Sequence, residues 1–332
     1  MPAALPTVYP AKLRRGDRVR VIAPAMSRAM VNEHDHSALI EARFADMGLT
    51  LSYGAHVDER DERDSSSVAA RVADLHDAFA DDSVAGVLSV IGGYNSNELL
   101  PHLDWDLIRA HPKVFCGYSD ITALSGAILA RTGLVTYSGP HWSSFGMRLH
   151  FDQTWKWFAE ALFEESPVTI SPAQSYTDDR WFLDQADREV LPTGGWWPIQ
   201  RGRADGRLVG GNLCTLNLLQ GTAYLPSLTD AVLIVEDDEE TRPGNFTRDL
   251  TSLLQLPAAA GIQGLVIGRF QRVSGMDRST LERLVERLPG LAGRPVLGNV
   301  DVGHTAPMAT LPIGGEVTMY ADDSPRLVLT RH

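Results

Sequence analysis

Cysteine is scarce in this sequence, because only Cys116 and Cys214 occur among 332 residues. Two cysteines outside a C-x-x-C pattern are too few for a disulfide framework and lack the spacing of a zinc site. No stretch approaches the ~18 uninterrupted apolar residues of a membrane span. The first residues, MPAALPTVYPAKLRRGD, have prolines where a secretory signal needs an apolar helix. These absences predict a reduced, cytoplasmic protein that does not enter a membrane.

Positive charge is also in short supply. The chain has 30 basic and 42 acidic residues, so its formal net charge is -12. This balance argues against a nucleic acid polymer or an anionic membrane surface as the main partner. The length and the apolar fraction of 44% are sufficient for two domains with substantial cores.

Short β-branched runs alternate with longer helical stretches in the first part of the chain. RVRVIA, GVLSVI, VFCG and LVTY predict strands, and the segments between them have helical patterns. Such alternation predicts a doubly wound, mostly parallel sheet, and ligands bind beyond the C-terminal ends of the strands in such sheets. We therefore predict an α/β fold with an N-terminal domain over residues 1–165.

Regular patterning stops between residues 166 and 206, where Trp181, Trp196 and Trp197 occur among prolines and glycines. A loop longer than ~15 residues is usually functional or disordered, and its tryptophans argue against disorder. We predict a tryptophan-rich connection here. Residues 207–332, with the strand AVLIVE and the alternating pair EVTMY and RLVLT, predict a smaller C-terminal α+β domain.

Three side chains could carry chemistry. Ser119 lies in VFCGYSDITAL, at a turn from a buried strand into a helix, where free N–H groups favour negative charge. The alternative is that Ser119 only caps that helix. Glu236 ends AVLIVE and begins the acidic run EDDEE, and His304 follows a strand in NVDVGHTAP. The order Ser…Glu…His occurs in hydrolase triads, although loop histidines and acidic runs are more often structural.

GGYNSN (residues 92–97) follows another strand and can bring backbone N–H groups close to a ligand.

Seven short segments in this order resemble the LD-carboxypeptidase family of serine peptidases, which includes muramoyl-tetrapeptide carboxypeptidases and microcin C self-immunity proteins. They are KLRRGDRVRVIAP, VIGGYNSNELLPHLDW, FCGYSDITAL, TGLVTYSGP, GRLVGGNLCTLNLLQGT, LIVEDDEE and DVGHTAPMATLPIG. One departure is that Ala25 and Met26 follow Pro24, where the family often has hydroxyl residues. The long, tryptophan-rich connection is more similar to the microcin-immunity branch.

The resemblance implies specific roles for residues in both halves of the chain. It implies a catalytic triad of Ser119, Glu236 and His304, with an oxyanion hole formed by the amides of Gly93 and Asp120. It also implies an active site at the interface of the two domains. Three further residues are implied near the substrate, namely Asn212, Trp181 and Trp197. The resemblance also implies a homodimer, and it implies neither a metal nor an organic cofactor.

The expected reaction is hydrolysis of an amide through an acyl-enzyme, on peptidyl- or aminoacyl-nucleotides as in microcin C immunity. The alternative within the family is removal of terminal D-Ala from muropeptides in peptidoglycan recycling. Two readings from other classes stay open. One is a nucleotide or peptide binding module without catalysis, and the other is a metal hydrolase built on EDDEE.

Overall fold

Two large β-sheets form the framework of the protein, for which a computed structural model describes residues 5–31 and 36–332. The strands are β1 (Arg18–Ile22), β2 (Thr50–Tyr53), β3 (Gly86–Ser89), β4 (Val114–Cys116), β5 (Thr136–Ser138), β6 (Val168–Ile170), β7 (Ser175–Tyr176), β8 (Leu191–Pro192), β9 (Trp197–Gln200), β10 (Gly202–Asn212), β11 (Ala231–Glu236), β12 (Gly264–Gly268), β13 (Val296–Val300), β14 (Leu311–Ile313), β15 (Glu316–Ala321) and β16 (Arg326–Arg331). The α-helices are α1 (Arg28–Val31), α2 (Ser37–Asp46), α3 (Val68–Ala80), α4 (Trp105–Ala110), α5 (Thr122–Thr132), α6 (Asp152–Phe163), α7 (Leu213–Asn217), α8 (Pro243–Leu254) and α9 (Arg278–Glu286).

The first sheet has six strands in the order β14-β5-β4-β3-β1-β2. Strands β1 to β5 pair in parallel, and β14 pairs antiparallel with β5 at the edge. Every residue of β3 and β4 is buried, as expected for central strands covered by helices on both faces. The predicted α/β fold with a mostly parallel N-terminal sheet is confirmed.

The second sheet has eight strands in the order β6-β16-β15-β10-β11-β12-β13-β9. Strands β10 to β13 are parallel, and antiparallel strands flank them on both sides. The pair β15 and β16 is the antiparallel pair that the alternation of EVTMY and RLVLT predicted. Both sheets therefore have a central set of parallel strands, and ligand sites on such sheets lie beyond the C-terminal ends of these strands.

The segment 166–206 is more regular than we expected. It contains β6, β7, β8 and β9, of which β6 and β9 form the two edges of the second sheet. Trp196 is buried, and its indole Nε1 donates a hydrogen bond of 2.8 Å to Asp301 Oδ2. This contact anchors the segment against the second sheet, so its backbone can pair there. The domain boundaries at residues 165 and 206 stay a prediction.

Helix α5 joins the two halves of the molecule. Its residues are buried along almost the whole length, and they share one apolar core with α7 and β10. A Cβ added to Gly126 would lie 2.9 Å from Leu219, and one added to Gly211 would lie 2.5 Å from Thr122. Such close packing fixes the start of α5 relative to the second sheet. Within residues 5–31 and 36–332, no helix combines the length and the apolar character that a bilayer crossing requires.

Candidate active site

Ser119 lies at the turn between β4 and α5, where the sequence predicted it. Its φ angle is 58°, in the left-handed region that non-glycine residues rarely adopt. Gly92 packs against it so closely that an added Cβ would lie 3.0 Å from the Ser119 Cβ. Backbone strain of this kind persists only where the surroundings enforce it, and it is concentrated at functional sites. The turn therefore presents the Ser119 hydroxyl in one fixed orientation.

The side chain of Asp120 fastens this turn to the GGYNSN segment. Its Oδ2 accepts hydrogen bonds from the N–H groups of Asn95 at 3.1 Å and Ser96 at 2.9 Å. The Ser96 hydroxyl in turn donates to the Asp120 carbonyl oxygen at 2.7 Å. Burial raises the pKa of the Asp120 carboxyl, although these hydrogen bonds act in the opposite direction. As a result Gly93, Ser119 and Asp120 line one cavity.

Side chains from the second sheet complete a hydrogen-bonded chain with Ser119. Glu236 is the last residue of β11 and is 3% exposed, and His304 lies in the loop after β13. His304 Nε2 is 3.1 Å from Ser119 Oγ, and His304 Nδ1 is 2.8 Å from Glu236 Oε2. The structure thus brings together the three residues that the sequence singled out, from strand ends of both sheets.

Opposing influences act on the pKa of His304. Burial lowers it, but the negative charge of Glu236 and the hydrogen bond to Glu236 raise it, assisted by Asp238 and Asp237. The net effect places the pKa above the ordinary value of 6.5. Gly303 permits this contact, because an added Cβ there would lie 2.6 Å from Glu236 Oε2. The imidazole is therefore a stronger base than an isolated histidine.

A second histidine, His141, lies behind the nucleophile turn and was missed by the sequence analysis. Its ring stacks on Tyr118 at 4.2 Å, and Tyr118 lies 5.1 Å from the ring of His304. His141 Nδ1 is 2.8 Å from Ser89 Oγ. Burial, followed by the nearby His304, lowers the pKa of His141 well below its usual value, so this ring is neutral at pH 7. Its position after β5 was the available signal, since polar residues at the ends of parallel strands gather at one edge.

The acidic run after β11 separates in space instead of forming one carboxylate cluster. Asp237 accepts a hydrogen bond from the Thr241 hydroxyl at 3.0 Å, while Glu239 pairs with Arg180. Burial and then the charge of Glu236 raise the pKa of Asp237 to about 6. Across the residues described, no group of three or more His, Cys, Asp or Glu side chains is arranged to hold a metal ion. This arrangement gives no support to a metal centre on EDDEE.

The remaining predicted residues lie in different places. Asn212 lines a cavity with Ser119, but its Oδ1 also accepts a hydrogen bond from the Thr215 N–H at 3.0 Å and caps α7. Trp181 lines a cavity of about 340 Å³ together with Ser119 and His304. Trp197 lines another cavity, with Arg269 among its neighbours. The volume of about 340 Å³ beside Trp181 is that of a small-molecule site.

Comparison with known families agrees with this architecture. Residues 19–139 match the LD-carboxypeptidase N-terminal domain, and residues 205–319 match the LD-carboxypeptidase C-terminal domain. The chain belongs to the LD-carboxypeptidase family. It is a serine-type carboxypeptidase, as the sequence predicted. Within this family assignment, Ser119 falls in the first matched region, Glu236 and His304 fall in the second, and Trp181 lies between them.

Individual relatives of this LD-carboxypeptidase cover nearly all of it. The putative carboxypeptidase YocD of Bacillus subtilis (strain 168) is 44% identical over 98% of this chain and 100% of the relative. The crystal structure of an MccF-like protein from Bacillus anthracis strain Ames is 41% identical, covers 98% of this chain and 100% of that one, and has a TM-score of 0.96. A structure of MccF in complex with glutamyl sulfamoyl guanosine is 26% identical, covers 97% and 98%, and has a TM-score of 0.88.

Proposed function

We propose that the protein hydrolyses an amide bond with Ser119 as nucleophile, His304 as general base and Glu236 as the residue that orients the imidazole. One observation carries this proposal, namely the continuous chain of contacts from Ser119 Oγ through His304 to Glu236, at 3.1 and 2.8 Å. A nucleophile within hydrogen-bond reach of a base that a third group orients is the arrangement that activates a serine hydroxyl.

The proposed reaction has two stages. His304 removes the Ser119 proton as Ser119 Oγ attacks the carbonyl carbon, and the negative charge develops on the carbonyl oxygen. The C–N bond then breaks, His304 delivers the proton to the leaving nitrogen, and an acyl-enzyme remains. Water attacks this ester with His304 again as base, which releases the acid and restores the Ser119 hydroxyl.

The amides of Gly93 and Asp120 are the proposed donors to the developing oxyanion. Both residues line the cavity that Ser119 enters, and the side chain of Asp120 holds their two segments together. Donors that are fixed before the reaction stabilise charge that appears in the transition state without reorganisation. The start of α5 adds the favourable end of a helix dipole at the same place.

For the substrate we propose peptidyl- or aminoacyl-nucleotides, as in self-immunity to microcin C-type compounds. Trp181 supports this class, because an indole beside the nucleophile can stack on a nucleobase. The MccF structure with bound glutamyl sulfamoyl guanosine supports it from a relative. The second candidate is removal of terminal D-Ala from muropeptides, which the family description favours. Asn212 is proposed as a further residue near the substrate.

Covalent labelling tests the nucleophile directly. We expect a fluorophosphonate probe to add one label to the wild-type protein and none to Ser119→Ala, as measured by intact-mass spectrometry. Ser125→Ala is the matched control, because Ser125 is a buried serine of α5 whose hydroxyl has no hydrogen-bond partner in the described part of the chain. Equal labelling of Ser119→Ala and wild type would mean that another residue is the nucleophile, whereas absence of the label in both proteins would leave a binding module.

A cytoplasmic location and a homodimer complete the proposed function. The location follows from the sequence and the homodimer from the family resemblance alone, and both stay predictions. Cell fractionation tests the first, and sedimentation equilibrium of the full chain tests the second.

A further inference from the structure

The cleft around Ser119 is strongly acidic. The two cavities that Ser119 lines include the carboxylates of Asp179, Asp237, Asp238, Glu239, Glu240 and Asp249. Among the described residues that line them, Arg180 is the only arginine, and no lysine is present. An anionic substrate would therefore meet a net negative potential in this cleft, in which the Arg180 guanidinium is the one lysine or arginine cation among the described lining residues.

Arg180 is held by a partner from the opposite side of the cleft. Its Nη2 donates to Glu239 Oε1 at 2.6 Å, and its Nε donates to Glu239 Oε2 at 3.3 Å. This two-point contact joins the segment between β7 and β8 to the loop after β11. It is also the geometry with which arginine recognises a carboxylate or a phosphate group of a ligand.

The pair is accessible to exchange. The side chains of Arg180 and Glu239 are 58% and 40% exposed, and exposed ion pairs contribute little to folding stability. Arg188, in the same segment, is different, because its side chain is 1% exposed and bound to Asp179 and Thr177. Arg188 therefore has a structural contact, whereas Arg180 can change partner without loss of a buried interaction.

We propose that Arg180 binds the anionic group of the substrate, and that Glu239 occupies the same guanidinium while no substrate is bound. This inference rests on the proposed function and adds a specificity-determining residue to it. The ligand chemistry is an oxyanion on the Trp181 side of the cleft, which is either the carboxylate of a peptide or the phosphate of an aminoacyl-nucleotide. Glu239 competes with the oxyanion of the substrate for the Arg180 guanidinium.

Opposite effects of two variants test this arrangement. Kinetics are measured on a peptide with a free C-terminal carboxylate and on its C-terminal amide, and on an aminoacyl-nucleotide and on the same compound without phosphate. We expect Arg180→Gln to raise KM for the anionic member of one pair about tenfold or more, with kcat little changed. Glu239→Gln should lower the same KM about two- to five-fold, because the competing carboxylate is removed.

The controls separate charge recognition from loop damage. Arg180→Lys keeps the positive charge and should recover part of the lost affinity for the anionic substrate. Arg203→Gln removes an exposed arginine that pairs with Asp205 on β10. It should not change KM for the anionic or for the neutral substrates. A loss confined to the peptide pair identifies a carboxylate, and a loss confined to the nucleotide pair identifies a phosphate.

Two outcomes would overturn the inference. One is an equal effect of Arg180→Gln on the anionic and the neutral member of both pairs, and the other is a higher KM for the anionic substrates in Glu239→Gln. Fluorophosphonate labelling of the same variants distinguishes this failure from that of the proposed function. If Ser119 is still labelled, only the role of Arg180 is wrong, whereas absence of the label in the wild type removes the catalytic proposal itself.

Discussion

The two walls of the cleft are built in different ways. The wall with Ser119, Glu236 and His304 consists of strand ends from both sheets, and Glu236 is 3% exposed there. The opposite wall is the segment between β7 and β8, where Phe182 is 45% exposed next to Trp181. The first wall is fixed by sheet hydrogen bonds and by the core around α5. The second is held by side-chain ion pairs, by packing of Trp181 against an apolar core and by hydrogen bonds of Gln185.

This difference separates chemistry from recognition. A triad requires positions accurate to a fraction of an ångström, which buried strand ends can provide. A surface segment held by Arg188–Asp179 and Arg272–Asp178 can change its outer side chains while those contacts persist. We therefore expect substitutions in the first wall to lower turnover and those in the second wall to change substrate choice.

The largest effect is expected for Ser119→Ala. Loss of the attacking hydroxyl should lower kcat on the order of 10⁴-fold or more, because the triad acts as a unit. The variant should remain folded, since the Ser119 hydroxyl contributes one hydrogen bond and the apolar core around it is unchanged. Steady-state hydrolysis and thermal melting measure both quantities. If Ser119→Ala kept a tenth of the wild-type activity, Ser119 would not be the nucleophile, and the first wall could not be assigned the chemistry.

The next effect is expected for Glu236→Gln, which keeps the shape of the side chain but removes its charge. We expect a fall in kcat on the order of 10³–10⁴-fold with little change in melting temperature, because the amide favours the wrong imidazole tautomer. In the wild type, kcat/KM should fall as the pH decreases through the raised pKa of His304, above 6.5. Without the Glu236 charge, burial lowers that pKa, so the acid limb should move to lower pH.

Asp237→Asn is the comparison for that variant. Asp237 is buried beside Glu236 but contacts Thr241 and Asp238 instead of the imidazole. Its loss of activity should be smaller than that of Glu236→Gln. A greater loss in Asp237→Asn would mean that the wrong member of the acidic run has been assigned to His304.

The sequence predicted the first wall better than the second, for a physical reason. Ser119, Glu236 and His304 follow buried strands, and the ends of parallel strands meet at one edge, so their proximity could be expected. The return of β14 to the first sheet could not be expected, since its three residues include Pro312 and proline argues against a strand. Strands β8 and β9 likewise contain proline, and β7 has only two residues.

The side-chain networks behind the site could not be predicted from the sequence either. Arg71 is 1% exposed and donates hydrogen bonds to the backbone oxygens of Pro24 and Asn95. It lies on the buried face of α3, where helical periodicity predicts apolar residues. A charged residue on that face was the available signal. Its partners come from two separate segments, around Pro24 and around Asn95, so they could be identified only from the fold.

The smallest expected effect concerns the second wall, and it decides between the candidate substrates. Trp181 lines the cavity with Ser119, whereas Trp197 lies on β9 and lines another cavity. Stacking of a base on an indole is worth about 1–3 kcal/mol, so Trp181→Ala should weaken binding of an aspartyl-adenylate analogue roughly five- to 150-fold. Trp197→Ala should leave that affinity within about twofold, whereas both variants should lower the melting temperature, because each indole packs against an apolar core. The measurement compares this analogue with an L-Lys-D-Ala tetrapeptide. Efficient cleavage of the tetrapeptide alone would replace the nucleotide proposal with a carboxypeptidase of peptidoglycan recycling, and the exposed wall would then recognise a peptide.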